Sequence, residues 1–290
     1  MSGNSAESAP FTFTVDPNYS GKNLPAWFLI NTYFQRQTGI PLRFLPHDDF
    51  DACRNAVLGG GFDLVYANPF DWVQYVGQGG FQPVAKPRDH FDEVYICSGA
   101  DSGISSVEML PEKIRVASAS PATLVHMVGL FLLDRAEIDR ARLEFTFTGS
   151  YQGALKSLLQ GQVDVAFIFN EIYDASSRLV RDRLRTVLVS EDAFAFHAFC
   201  VGPRLAGQRG QICEILCGME QDPKGQQLLK DIGFAGFEPV TDEEVECLTA
   251  LAQEYVTGHE AIDIRATSSL AVDDTAFVVA REEPGVAETN

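Results

Sequence analysis

Basic side chains are scarce in this chain: 22 Lys and Arg stand against 40 Asp and Glu, a formal charge of −18. A surface that grips nucleic acid or anionic lipid needs clustered Lys and Arg, so both are excluded as partners. A small anion is not excluded, because backbone N–H groups at a helix N-terminus hold one against the overall field. Long apolar runs are missing as well. The longest, Val125–Leu133, contains His126 and is far too short to cross a bilayer, so no membrane insertion is expected. Met1–Pro10 has neither a basic n-region nor an apolar h-region, so no signal peptide is read there. As written the chain is expected in the cytoplasm, and in the periplasm if a leader has been removed.

Short catalytic signatures are missing too: there is no nucleophile elbow, P-loop, Rossmann glycine pattern or zinc-protease motif. His47, His90, His126 and His259 show no ligand spacing. The six cysteines are scattered through apolar contexts. Cys213 and Cys217 share a helix face, but no further ligand stands nearby. Buried reduced thiols, no metal and no cofactor are the expectation.

What is present is a 290-residue chain, 46% hydrophobic, in which strands alternate with helices. Phe11–Val15, Leu42–Leu45 and Phe62–Ala67 read as strands, with helices over Leu24–Gln37, Phe50–Leu58 and Phe70–Val76. Strands at Val94–Ser98, Ile114–Ala117, Leu143–Thr148 and Val163–Phe169 follow, with helices over Thr123–Arg135 and Tyr151–Gln160. Strands at Thr186–Ser190 and Ala198–Gly202 precede helices over Ile212–Gln221, Gly225–Ile232 and Asp242–Thr257. Such alternation means an α/β fold with ligands beyond the carboxyl ends of the strands. That rule singles out Asn18 and Tyr19 after the first strand, Tyr66 and Asn68 at or just past the end of the third, and Asn170 after Val163–Phe169. His197 lies beside the last strand and titrates in a useful range. One echo stands out: Gly61-Phe62-Asp63-Leu64 and Gly161-Gln162-Val163-Asp164-Val165 both run from a helix through Gly to an Asp-marked strand. Two half-similar lobes facing one cleft would produce it.

With Gly61–Tyr75, Ala100–Ile104 leading into Met109-Leu110, Phe147–Phe169, Asp222–Gly225 and Leu228–Pro239, the chain resembles the solute-binding proteins of phosphate, phosphite and phosphonate ABC transporters. The resemblance runs over about residues 11–257. It implies the type II periplasmic-binding fold, two α/β lobes that close on a ligand. Lobe one is then expected at 11–98 plus 204–262 and lobe two at 99–197, with 263–290 an acidic tail. The crossings are expected near Ser98–Asp101 and His197–Val201.

In that family a hydroxyl-rich turn at a lobe-two helix N-terminus holds the anion. The matching segment here is Ser120-Pro121-Ala122-Thr123, with Ser118 just before it, and Tyr151 follows the next turn. Pro121 removes one N–H donor and Ala122 one hydroxyl. Ser118 or Ser120 as a plain helix N-cap, with Pro121 at the first helical position, explains the same residues. Asp92 stands where the family places a cleft aromatic, and Glu171 matches an acidic residue. The resemblance implies a non-catalytic binder of a small polar or anionic ligand that acts by cleft closure, in uptake with a transporter permease or in sensing with a sensor kinase. The alternative is a cytoplasmic enzyme on the same fold, and a third reading is a clamp whose cleft is filled by its own side chains.

Overall fold

The structure, a computed structural model, describes residues 10–257 apart from Asp192. Among these residues eleven strands are laid down in two sheets. The first contains β1 (Phe11–Val15), β2 (Leu42–Phe44), β3 (Leu64–Ala67), β4 (Gln82–Pro87), β10 (Ala198–Val201) and β11 (Phe237–Pro239), ordered β11-β4-β10-β3-β1-β2. The second contains β5 (Val94–Gly99), β6 (Ile114–Ser118), β7 (Leu143–Phe147), β8 (Val165–Phe169) and β9 (Leu184–Val189), ordered β7-β6-β8-β5-β9. The helices are α1 (Pro17–Thr38), α2 (Phe50–Leu58), α3 (Pro69–Gly79), α4 (Leu124–Arg135), α5 (Tyr151–Leu159), α6 (Asn170–Ala175), α7 (Arg178–Arg181), α8 (Arg209–Cys217), α9 (Pro223–Ile232) and α10 (Asp242–Thr257). No described helix is long and apolar enough to cross a membrane.

The chain passes between the sheets twice, over 88–93 and over 190–197. Both passages lie upstream of the expected Ser98–Asp101 and His197–Val201. The reason is β5, which pairs antiparallel with β8 and β9 and therefore belongs to the second sheet rather than to the end of lobe one. Residues 258–262 and the acidic tail 263–290 lie outside the described residues.

The repeated Gly…Asp junction has one structural role in both lobes. Asp63 accepts the Thr12 N–H at 2.9 Å and returns its own N–H to the Thr12 carbonyl at 2.9 Å. Asp164 does the same to Arg115, at 2.9 and 2.9 Å. Each carboxylate thus brackets the entry to the neighbouring parallel strand, at the end remote from the cleft. Each also holds an arginine, Arg204 at 3.0 Å and Arg115 at 2.7 Å.

Elsewhere the differences from the sequence reading have local causes. Helix α1 begins at Pro17, seven residues before the expected Leu24, because Asp16 caps it through the Asn18 N–H and Pro17 sits at the first helical position. The helix is interrupted at Asn23 (φ −129°) just before Pro25, which has no N–H to give. Strand β4 escapes a pattern reading because it contains Pro83 and ends on Pro87. Pro83 is tolerated where the β10 register shifts between Phe199 and Cys200. Of the cysteines, Cys53, Cys97 and Cys200 are buried, Cys213 and Cys217 half-buried, and Cys247 is exposed, against the expectation of burial; all six are free thiols.

One hydrophobic cluster lies on the α1, α8 and α9 side of the first sheet. The other runs through both lobes, from Phe50, Val57 and Trp72 to Ile114, Leu133 and Phe167. Helix α4 lies against β8 so closely that a Cβ at Gly129 would stand 2.3 Å from the Phe167 ring. A Gly129→Ala variant gains up to about 1 kcal/mol of helix propensity, yet overpacking costs about 1–3 kcal/mol. The expected net result is a lower urea midpoint, and an unchanged or higher one would show that the α4–β8 contact is loose.

Candidate functional site

The carboxyl ends of β1, β3, β6 and β8 and the two passages meet in the space between the sheets, where polar side chains are buried in unusual density. Asp16 ends β1, Asn68 caps α3, and His197 precedes β10. All three are 2–3% exposed. Asn68 donates to Asp16 at 2.6 Å and to Asp71 at 2.7 Å, and its carbonyl oxygen accepts the Asp71 N–H at 3.0 Å. Asp71 in turn accepts from Arg54 Nε at 2.5 Å. Arg54 occupies the buried face of α2 with Phe50, Cys53 and Val57, a helical spacing. Burial pushes the Asp71 carboxyl up to about 6, against the pull of Arg54.

The two passages are tied to each other. Asp92, 2% exposed, accepts from His197 Nδ1 at 2.8 Å, while the Asp92 N–H donates to the Ala195 carbonyl at 2.8 Å. Trp72 donates its indole N–H to the Phe196 carbonyl at 3.1 Å and stacks on that ring. Lys86 lies over the rings of Phe91 and Phe196, one from each passage, at 5.7 and 4.8 Å. Burial alone favours the neutral imidazole, but Asp92 and Asp16 outweigh it and hold the His197 pKa at about 10. Its Nε2 lies 3.7 Å from Asp16, an ion pair too long for a hydrogen bond, and has no hydrogen-bond partner. The Tyr66 hydroxyl is likewise buried and unpartnered, and the Tyr66 ring stacks on His197 at 5.5 Å.

Toward solvent this polar floor gives way to a cavity of ≈ 330 Å³ between the lobes, lined among others by Tyr19, Asn23, Phe91, Asn170 and Phe234. Tyr19 donates its hydroxyl proton to Glu171, on α6 of the other lobe, and His90 Nε2 meets the same carboxylate at 2.8 Å. Burial works against an ionised Glu171, yet the bonds from His90 and Tyr19 keep its carboxyl below the ordinary range.

Of the residues singled out by sequence, Tyr19, Tyr66 and His197 form one aromatic contact set, and Asn68 joins them through Asp16. Asn18 lies beside it, its N–H spent on the Asp16 cap. Asn170 lines the cavity and donates to the Phe91 carbonyl at 2.9 Å. Tyr151 is buried between Phe50 and Phe169. Ser118, Ser120 and Thr123 share the α4 turn, and each hydroxyl has a partner within its own lobe. Ser118 meets His126 Nδ1 at 3.3 Å, Ser120 accepts the Ala122 N–H at 3.2 Å, and Thr123 donates to the Ser120 carbonyl at 3.0 Å. The N-cap is Thr123, not Ser118 or Ser120, and Pro121 lies in the preceding turn rather than at the first helical position. Arg54 reaches across the cleft to the Ala122 carbonyl at 2.7 Å. Sequence reasoning missed Asp16, Arg54, Asp71 and His90. Asp16, the first residue past β1, was within reach of the strand-end rule, whereas Arg54 gave no signal because its spacing marks an apolar face.

The His197–Asp92 pair makes stability depend on pH. The imidazole pKa rises from 6.5 to about 10 on folding, so its contribution is complete below 6.5 and is lost as pH climbs through 10. Denaturant unfolding across that window is expected to show falling stability. His197→Ala, which leaves Asp92 buried without its partner, is expected to cost about 3–5 kcal/mol near neutral pH and to flatten the slope. An unaltered slope in the variant would mean that His197 is not the titrating group.

No curated protein matches the chain. Solved structures do. The chain is similar to PhnD1 from Prochlorococcus marinus in complex with methylphosphonate, at TM-score 0.73 and 11% identity over 84% of this chain and 97% of that one. It is similar to XAC2383 from Xanthomonas citri bound to chloride, at 0.72 and 17% over 87% and 100%. A binding protein component of an ABC phosphonate transporter from Pseudomonas aeruginosa aligns at 0.69 and 15% over 88% and 90%. At these identities the likeness shows the fold, that of the two-lobed periplasmic binding proteins. The profile of the phosphonate ABC transporter periplasmic substrate-binding proteins matches residues 13–245, and this chain belongs to that family.

Proposed function

We infer that this protein binds one small polar molecule between its lobes and passes on its closed or opened state, to a transporter permease in uptake or to a sensor kinase in sensing. The observation that carries the reading is the ≈ 330 Å³ cavity at the strand ends of two sheets that, among the described residues, two chain segments join. Lobes so connected move as a hinge, and a ligand touching both favours the closed form by its differential affinity. A role in uptake places the protein in the periplasm, in keeping with its family; sensing without export places it in the cytoplasm. His197 is not read as a general base, because Asp92 and Asp16 favour its protonated form.

PhnD1 holds methylphosphonate, but the corresponding turn argues against that ligand here. Pro121 offers no N–H, Ala122 brings no hydroxyl, and the Ala122 N–H and the Thr123 hydroxyl proton are already given to Ser120. A phosphonate dianion would give up its hydration without full replacement, at about 1.5–3 kcal/mol for each missing charged hydrogen bond. Two such losses weaken binding by about two to four orders of magnitude. Calorimetry with methylphosphonate and 2-aminoethylphosphonate is therefore expected to give dissociation constants weaker than about 10 μM. A submicromolar constant for either would show that the turn rebuilds an anion site on closure. Native mass spectrometry of freshly purified protein, with X-ray scattering before and after mild denaturation and refolding, tests the binding reading itself. A retained small molecule whose loss opens the lobes supports it, and a bare chain of unchanged shape would count against it.

A further inference from the structure

Lys86 stands near the end of β4, two residues before the first passage between the lobes, and is 7% exposed. A lysine so buried is held by partners, and among the described residues this one has four, from four parts of the chain. Its ammonium pairs with Glu244 on α10 and with Glu238 on β11, the latter at 3.2 Å. It also lies over the ring of Phe91 at 5.7 Å and over that of Phe196 at 4.8 Å, one from each passage. Two carboxylates are enough to neutralise a buried ammonium. The rings add a link to the hinge that charge balance does not require.

Both ends of that link are anchored. Phe91 lines the cavity, and its carbonyl accepts the amide N–H of Asn170 at 2.9 Å. Asn170 is the first residue of α6, in the second lobe. Glu244 belongs to a capping box at the start of α10. It accepts the Thr241 N–H at 2.9 Å and gives its own N–H to the Thr241 hydroxyl at 3.2 Å. A continuous chain of contacts therefore runs from the second lobe through Asn170, Phe91 and Lys86 to the first turn of α10. A second route passes through Trp72 of α3, which donates to the Phe196 carbonyl and shares a hydrophobic cluster with Leu248 and Ala252 of α10. Helix α10 packs on α3.

A hinge motion alters the backbone of the passages. Asn170 moves with the second lobe and Lys86 with the first. Phe91 sits between them, so parting the lobes strains one of its two contacts. Loss of the ring takes an aromatic face from the ammonium and readmits water around it, which weakens its hold on Glu244. We propose that Lys86 transmits the opening and closing of the lobes to α10, so that the packing of this helix on the first lobe reports the state of the cleft. The assignment rests on the reading that the lobes close on a small molecule. It names how that state is passed on: through a helix none of whose described residues lines the cavity. Coupling of this kind is reciprocal, so a partner that grips α10 acts back on closure.

Hydrogen exchange of the α10 amides, read by mass spectrometry on the full chain as purified, tests the coupling as a double-mutant cycle. Asn170→Ala frees Phe91 at the second-lobe end, and Lys86→Met removes the ammonium while keeping an apolar stem. Each alone is expected to speed exchange in α10 by about threefold or more. The two together are expected to do no more than Lys86→Met alone, and Phe91→Leu to reproduce Asn170→Ala. Exchange in α8, on the other side of the first sheet, should stay at the parent rate. Unchanged α10 exchange in both Asn170→Ala and Phe91→Leu would overturn the proposal. So would effects of Asn170→Ala and Lys86→Met that multiply independently, the result for a lysine that only balances charge. Exchange accelerated equally in α8 would overturn it too, since a general loss of stability then accounts for α10. No ligand is added, so failure here leaves the small-ligand reading in place. That reading stands or falls by the retained molecule and by the change of shape on its loss.

Discussion

The pair formed by His197 and Asp92 is the constraint on which the arrangement between the lobes depends. Each residue lies in one of the two segments that join the sheets, and the bond between them, with the Asp92–Ala195 backbone bond, makes those segments a single braced strap. Once the strap is fixed, Tyr66 has a ring to stack on, Trp72 a carbonyl to donate to, and Lys86 two aromatic faces to lie across. A buried ion pair of this kind adds little net stability, because desolvation offsets most of its attraction, but removal of one member is costly. Its effect here is geometric: it sets where one lobe stands relative to the other.

The same region explains how a strongly acidic protein packs carboxylates in its interior. Asp16, Asp71 and Asp92 are each 2–3% exposed, and Arg54 and His197 are the cations paired with them among the described residues. Asn68 makes the arrangement tolerable by donating to two carboxylates at once, and the Asp71 carboxyl, displaced to about 6, gives up part of its charge more readily than an exposed one. The floor is therefore rigid and committed to itself, and the exchangeable surface is the cavity above it.

The alternation of strands and helices, the two lobes and the family were legible because they rest on periodicity and on segments such as Gly61–Tyr75 and Leu228–Pro239 that keep their order. The strand-end rule pointed to Tyr19 and Asn170, which line the cavity, because a residue past the carboxyl end of a buried strand stands at the cleft; Tyr66, inside β3, packs in the core beside Tyr19. The passages were placed too late because Val94–Gly99 is as apolar as any strand of the first sheet, and nothing local records which sheet a strand will join. Strand β4 was lost to its prolines, which argue against a central strand unless a register shift elsewhere accommodates them. Arg54 was invisible for the opposite reason: at a spacing that marks burial, a cation reads as an error in the pattern until Asp71 and the Ala122 carbonyl are seen to receive it. His90 was dismissed for want of ligand spacing, a criterion suited to metals and blind to a partner such as Glu171, distant in sequence.

The order of strands bears on how the chain reaches this form. Every strand of the second sheet comes from one uninterrupted stretch, Val94 to Val189, whereas β10 lies between β3 and β4 in the first. Contacts between residues close in sequence form fastest, and those across long separations wait for loop closure. On a ribosome the second lobe has all its strands before the first has more than four of its six. Until residues 198–201 emerge, the edges of β3 and β4 have no partner between them and are open to wrong pairing. The discontinuous lobe is thus the slow and vulnerable half of the molecule during synthesis, and the inserted one its early scaffold.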